Sequence, residues 1–237
     1  MIKIVSFKIC PFVQRVTALL EAKQIPYDIE YIQLSDKPQW FLDLSPTGQV
    51  PVLITEEGEA LFESDAIVEY IEEVTPALVW GVSPVQRAKD RAWAYQGAKH
   101  YLVQCSTMQS TDKDTLLERS ANLNKAFEKA EKQLGDGPFF NGSLMGNVDI
   151  AWLPLLHRAL IVKQQSGYDF LMAYPKMQAW QSALAETGIF KKSVPADFKE
   201  AFTNFYLSPR TFLGRGADLS EEVSDLGSPK ISGGCCG

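Results

Sequence analysis

With 46% hydrophobic and 22% charged residues in 237, the chain has ordinary globular composition and is long enough for one large or two modest cores. A formal net charge of −6, with no stripe of clustered lysine and arginine, argues against a sequence-independent nucleic-acid surface, and no apolar run approaches the ~20 residues of a membrane helix. Four cysteines, Cys10, Cys105, Cys235 and Cys236, are too few and too unevenly spaced for a disulfide framework; the first residues also lack the features of a secretory signal, so reduced thiols in a cytoplasmic compartment are expected.

The first apolar run, Ile2 to Phe7, reads as a strand. It leads through Lys8-Ile9-Cys10 into a helix opened by Pro11, whose missing N–H and fixed backbone angle suit a first helical turn. Cys10 is thereby placed where unpaired helix amides and the positive end of the helix dipole favour a thiolate. Such a setting lowers a free thiol pKa of ~8.5 to ~3.5–7.5. A dithiol redox motif would carry a second cysteine at position 13, where this chain has Val13, so the partner in any thiol exchange must come from elsewhere. The alternative is that Cys10 is a small core residue.

Val13, Val16, Leu19 and Leu20 share one face of this helix, which Gln24-Ile25-Pro26 ends. Tyr27, Ile29 and Tyr31 alternate with Asp28 and Glu30 in a second strand, completing a parallel βαβ unit. A short helix is expected over 37–44. Two short runs, Val50 to Ile54 and Glu59 to Phe62, read as an antiparallel hairpin around Thr55-Glu56-Glu57-Gly58. Pro51 cannot donate to a ladder, which assigns it to a strand edge or first residue; whether its peptide bond is cis is open. Ser64 is read as the N-cap of a helix with Ile67, Tyr70, Ile71 and Val74 on one face. The order βαβ, α, ββα is a thioredoxin-like arrangement over residues 1–75.

A Pro- and Gly-containing linker is expected over 76–83, then an all-helical bundle over 84–214. Val85, Ala88, Ala92, Tyr95 and Leu102 mark one face of a long first helix, expected to pair with a second helix carrying Leu116, Leu123, Phe127, Ala130 and Leu134. Asn147 to about Gln164 is apolar nearly all round and is predicted to be the buried central helix, loosened or kinked at Pro154. Met177, Trp180 and Leu184 mark another helix; Phe198, Phe202 and Phe205 mark the last. Residues 215–237, rich in Gly, Ser, Asp and Glu, are expected to form a flexible tail. Its Cys235-Cys236 pair could resolve a mixed disulfide or bind soft metal, but no catalytic role is expected. His100 and His157 lack metal-ligand spacing with the cysteines, so no metal is predicted.

Cys10-Pro11-Phe12 with Arg15, Lys37-Pro38-Gln39-Trp40-Phe41, Gly48-Gln49-Val50-Pro51-Val52-Leu53 and Glu63-Ser64-Asp65-Ala66-Ile67, followed by a helical domain, together resemble cytosolic glutathione transferases. The nearest likeness is to the cysteine-type, omega-like branch. The resemblance implies that glutathione is the co-substrate and that Cys10 is the catalytic residue, forming a mixed disulfide with it. It further implies that Phe12 lies beside the glutathione sulfur, that Lys37 meets the glycyl carboxylate, and that the Val50 backbone pairs with the cysteinyl backbone ahead of a cis Pro51. Glu63 and Ser64 then hold the γ-glutamyl end. A small electrophilic or disulfide second substrate and a homodimer are also implied, with no nucleic-acid or membrane partner.

The charge pattern fits independently, since glutathione offers an amine and two carboxylates to an acidic residue, a helix N-terminus and a lysine. An edge strand opened by Pro51 would leave backbone groups free for an extended peptide. Taken without the resemblance, Lys37 reads as a solvated charge opening a short helix, and Glu63 and Ser64 as a first-turn charge and a cap. The expected chemistry is glutathione-dependent thiol transfer or reduction, acting on disulfides, dehydroascorbate or glutathionyl adducts. A glutathione-dependent isomerase or dehalogenase, or a non-enzymatic binding module on the same fold, is the alternative. Relatives often place a capping Ser where this chain has Gly146, three residues ahead of Asp149.

Overall fold

The computed structural model describes residues 1–216. The N-terminal unit runs β1 (Ile2–Ser6), α1 (Pro11–Ala22), β2 (Tyr27–Tyr31), α2 (Gln39–Leu44), β3 (Val52–Ile54), β4 (Ala60–Phe62) and α3 (Ser64–Val74). The strands form one mixed sheet in the order β2-β1-β3-β4, parallel between β1 and β2 and antiparallel elsewhere. The helical unit follows as α4 (Pro84–Ala98), α5 (Tyr101–Met108), α6 (Lys113–Gln133), α7 (Asn147–Ser166), α8 (Pro175–Glu186), α9 (Ile189–Lys192), α10 (Phe198–Tyr206) and a 3-10 turn at Leu213–Arg215. This is a thioredoxin-like domain followed by an all-helical one. Beyond Gly216, the expected tail with Cys235 and Cys236 lies outside the described residues.

Register decides where a site can form. Ser6 pairs with Tyr31, and Val5 with Val52, which in turn pairs with Phe62. The loop after β1, the loop after β2, the approach to β3 and the exit from β4 therefore emerge at the same end of the sheet. β3 lies inside the sheet, and β2 and β4 are its edges, so the expected edge strand at Pro51 is corrected. β3 starts at Val52, opposite Val5; Val50 and Pro51 precede that pairing, and Pro51 has no N–H to extend it.

α1 is buried on most sides. Val13, Val16, Leu19 and Leu20 are all at most 3% exposed, packed between the sheet with α3 and the central helix α7. One apolar cluster runs through both units, from Ile4 and Leu53 to Leu156 and Phe202. α7 is buried along most of its length, as its composition predicts, and stays helical through Pro154. At its start Asp149 accepts from the backbone N–H of Gly146 (2.8 Å) and of Phe140 (2.9 Å) and from Trp180 Nε1 (2.6 Å). Gly146 caps the helix without a side chain to complete the reciprocal bond.

Four expectations for the helical unit are corrected. The long first helix is two helices, because His100 Nδ1 hydrogen-bonds the Gln96 carbonyl (2.6 Å) while the His100 backbone N–H bonds Gly97 instead (3.0 Å). The Gln96 carbonyl is thus taken by a side chain rather than by the next helical turn. α4 packs on α7 and α5 on α6, rather than the first helix pairing with the second as a whole. The predicted apolar stripe also faces outward: Val85 is 67% exposed, Tyr95 60% and Leu102 64%. In α10 the buried face is Phe198, Phe202 and Tyr206, spaced four apart, whereas Phe205 is exposed.

Candidate active site

Cys10 is the N-cap residue of α1, with extended backbone angles, and Pro11 follows as the first helical residue. Its N–H donates to the Phe7 carbonyl (3.0 Å) and its carbonyl accepts from Gln14 (3.1 Å), which closes the strand-to-helix turn. The backbone N–H groups of Val13 and Phe12 hydrogen-bond its sulfur. These amides pull the thiol pKa down, as the helix start predicts. Burial outweighs them and pushes it above its ordinary value, with the Arg158 guanidinium pulling down alongside the amides. A lowered thiol is therefore corrected: the sequence reveals a helix start but not the depth at which it is buried.

Phe12, half-buried, meets Tyr101 of α5 edge-on at 5.1 Å. Lys37 is half-buried in the loop after β2, its Nζ beside the Gly48 turn, 3.7 Å from where a Cβ on that glycine would stand; it has no ion-pair partner among the described residues. The Val50–Pro51 peptide bond is cis, with Pro51 buried and Val50 half-buried. Glu63 is the exposed N-cap of α3 at φ 66°, a region few non-glycine residues occupy. Buried Ser64 is the first helical residue, so the predicted cap moves back by one. All seven residues lie on the four segments that emerge at one end of the sheet.

Polar contacts that sequence reading did not assign hold this end in place. Arg15, 4% exposed, pairs with Asp65 and ties the α1 start to the α3 start. Gln14, also buried, bonds His157 Nδ1 (2.8 Å) and Ser193 Oγ (3.2 Å) through its amide nitrogen, while its oxygen accepts from Arg158. A donated bond at Nδ1 requires neutral imidazole; burial drives the His157 pKa down to about 3, and its ring is stacked between Phe190 and Phe198. Lys8 pairs with Asp197 ahead of α10 (2.6 Å). The readable signal for this network was an Arg within the apolar run of α7. A cavity of about 700 Å³ lies between α3, residues 77–83, α4 and residues 141–147, with Arg15 reaching its wall, and Cys10 does not line it. Among the described residues no group of His, Cys, Asp and Glu is arranged to hold a metal, and no helix is long and apolar enough to cross a membrane.

Residues 9–74 match the model of the glutathione S-transferase N-terminal domain, and residues 92–194 that of its C-terminal domain. A probable glutathione S-transferase DHAR1, cytosolic, from Oryza sativa subsp. japonica is 32% identical over 190 residues, covering 79% of this chain and 84% of that protein. The chain belongs to the glutathione transferase family. Glutathione S-transferase omega-1 of Mus musculus is 29% identical to this transferase over 215 residues, covering 87% of the chain and 86% of the mouse protein. The crystal structure of glutathione transferase Omega 3C from Trametes versicolor superposes with a TM-score of 0.70 at 28% identity, covering 81% of this transferase and 88% of the fungal chain. The enzyme is thus a glutathione transferase of omega and DHAR type.

Proposed function

We propose that this glutathione transferase is a glutathione-dependent thiol transferase and reductase in which Cys10 carries the glutathionyl group. The observation that supports this most is a single cysteine at the α1 start with two backbone N–H groups on its sulfur, and valine at position 13. The Cys10 thiolate attacks the glutathione sulfur of a mixed disulfide or glutathionyl adduct. The bond from that sulfur to the substrate breaks, the substrate leaves with its electron pair and takes a proton, and Cys10 is left joined to glutathione. The thiolate of a second glutathione attacks the glutathione sulfur of that mixed disulfide, returning Cys10 as thiolate and releasing oxidised glutathione.

The remaining roles follow charge and position. Lys37, open at its ammonium, takes the glycyl carboxylate, and the Glu63 carboxylate with the Ser64 hydroxyl takes the γ-glutamyl end. The Val50 backbone, ahead of Pro51 and before the paired part of β3, hydrogen-bonds the cysteinyl backbone, and Phe12 flanks the sulfur. Second substrates are small disulfides, dehydroascorbate or glutathionyl adducts. The outward apolar face of Val85, Tyr95 and Leu102 supports a homodimer through α4 and α5. Turnover of a small mixed disulfide with glutathione tests the reading: Cys10→Ser is expected to lose activity at least about a hundredfold, and a variant retaining wild-type turnover contradicts it.

A further inference from the structure

Arg158 is 0% exposed on an apolar helix, between Leu155, Leu156, Ala159 and Ile161. Its guanidinium donates to the carbonyls of Ile9 (3.0 Å) and Pro154 (3.0 Å) and to the Gln14 amide oxygen, and lies over the Phe198 ring at 5.5 Å. Each of these partners is neutral. Arg158 has no carboxylate partner among the described residues, and its Nε is buried without an acceptor. A fully buried cation left uncompensated costs several kcal/mol, so its retention here calls for a counter-anion.

The groups around it that can become anionic are Cys10 at the α1 N-cap, Tyr101 and Cys105 on α5, and Tyr206 on α10; its own helix adds neutral His157. The Arg15–Asp65 pair lies beyond Tyr101 and is already neutralised. Tyr101 spends its hydroxyl proton on the Ala151 carbonyl; Cys105 interacts more strongly with Arg158 than Cys10 does, but it lies inside α5, away from a helix start, with the Tyr206 hydroxyl as its partner. Cys10 alone adjoins a residue whose carbonyl Arg158 holds, Ile9, and also has two amides aimed at its sulfur.

We infer that Arg158 is the buried counter-cation of the Cys10 thiolate: as the thiol proton leaves to solvent in the exchange step, the guanidinium offsets the charge that forms on sulfur. Arg158 is a positioning residue. It touches the backbone just before Cys10 and acts on chemistry through that thiol. The inference rests on the reading of Cys10 as the exchanging thiol, but its test uses no glutathione. Failure of Arg158 to tune Cys10 is therefore separable from failure of glutathione transfer.

The experiment is the rate of iodoacetamide alkylation of Cys10 against pH, resolved by peptide mass, in the full chain and in Arg158→Met, Arg158→Lys, Lys8→Ala and Cys105→Ala. Arg158→Met is expected to slow alkylation at neutral pH at least about tenfold by moving the profile to higher pH, since one pK unit is tenfold in thiolate. Arg158→Lys, which keeps the charge, is expected within about threefold of wild type, and Lys8→Ala and Cys105→Ala are expected to be unchanged. If Arg158→Met fails to fold by circular dichroism, the wild-type profile in low and ~1 M salt decides. Salt screens an exposed charge such as Lys8 but not a buried one, so an unmoved profile with Arg158→Lys near wild type supports the assignment. A wild-type profile that rises with salt overturns it, as does a folded Arg158→Met matching wild type or an Arg158-dependent alkylation that maps to Cys105.

Discussion

α7 and α4 lie against one another in the same domain, and apolar periodicity points to a packed face on each. On α7 the apolar residues are covered all round, down to a charged Arg158 and a neutral His157 drawn into the interior. On α4 only Ala94, Gly97 and Ala98 are buried. There the helices approach so closely that a Cβ on Gly97 would stand 2.9 Å from Trp152 Cδ1. The predicted stripe of α4 points the other way, into solvent. Apolar periodicity reports that a face is to be covered, not that the covering comes from the same chain. A helix apolar all round leaves no such choice, which is why α7 was placed correctly and the stripe of α4 was not.

Four changes sharpen or break that contrast. Trp152→Ala on α7 removes a fully buried ring packed on Trp180 and Phe127 and bonded to the Trp93 carbonyl (2.9 Å), so a loss of about 3–5 kcal/mol is expected from urea unfolding. Next comes the buried imidazole. The His157 pKa is about 3 in the folded chain against an ordinary 6.5, so the stability it contributes is complete above about pH 6.5 and is lost as pH falls towards 3. Between pH 6.5 and 5 the loss from this one group is about 2 kcal/mol. Unfolding curves for His157→Asn are expected to fall less steeply than wild type by that amount; equal slopes would mean the imidazole is not held neutral.

The paired change Tyr95→Glu and Leu102→Glu on the outward face is expected to move stability by only about 0.5 kcal/mol per site. It is nevertheless expected to convert a dimer to a monomer in analytical ultracentrifugation. A loss of several kcal/mol in the monomer would mean that the face is part of the chain's own core. The smallest effect is expected at the cap of α7. In Gly146→Ser an added Cβ meets nothing closer than 3.6 Å, and its hydroxyl completes the reciprocal bond with Asp149, so a gain of a few tenths of a kcal/mol is expected in thermal unfolding.

Much of the fold was legible because its signals are local. Pro11 after Cys10, alternation over 27–31, the turn at 55–58 and the run of α7 each specify one element, and their order specifies the thioredoxin-like unit. The break at Lys99-His100 was not legible, because it depends on a histidine ring capturing one backbone carbonyl. Nor was the setting of Cys10: the amides on its sulfur follow from the helix start, but the burial that outweighs them comes from α5 and α7, far along the chain. Arg158 left a readable trace as a charge within an apolar run, yet its partners Ile9 and Gln14 lie about 140 residues or more away, and only the fold brings them together.

The central claim is that glutathione is carried on Cys10. Its most direct measurement is the intact mass of the protein after incubation with oxidised glutathione, for the wild type, for Cys10→Ser and for a chain ending before Cys235. One glutathione adduct that survives removal of the tail and disappears in Cys10→Ser is expected. An adduct that persists in Cys10→Ser, or that disappears with the tail, would contradict the claim and leave Cys10 a structural residue at the α1 start.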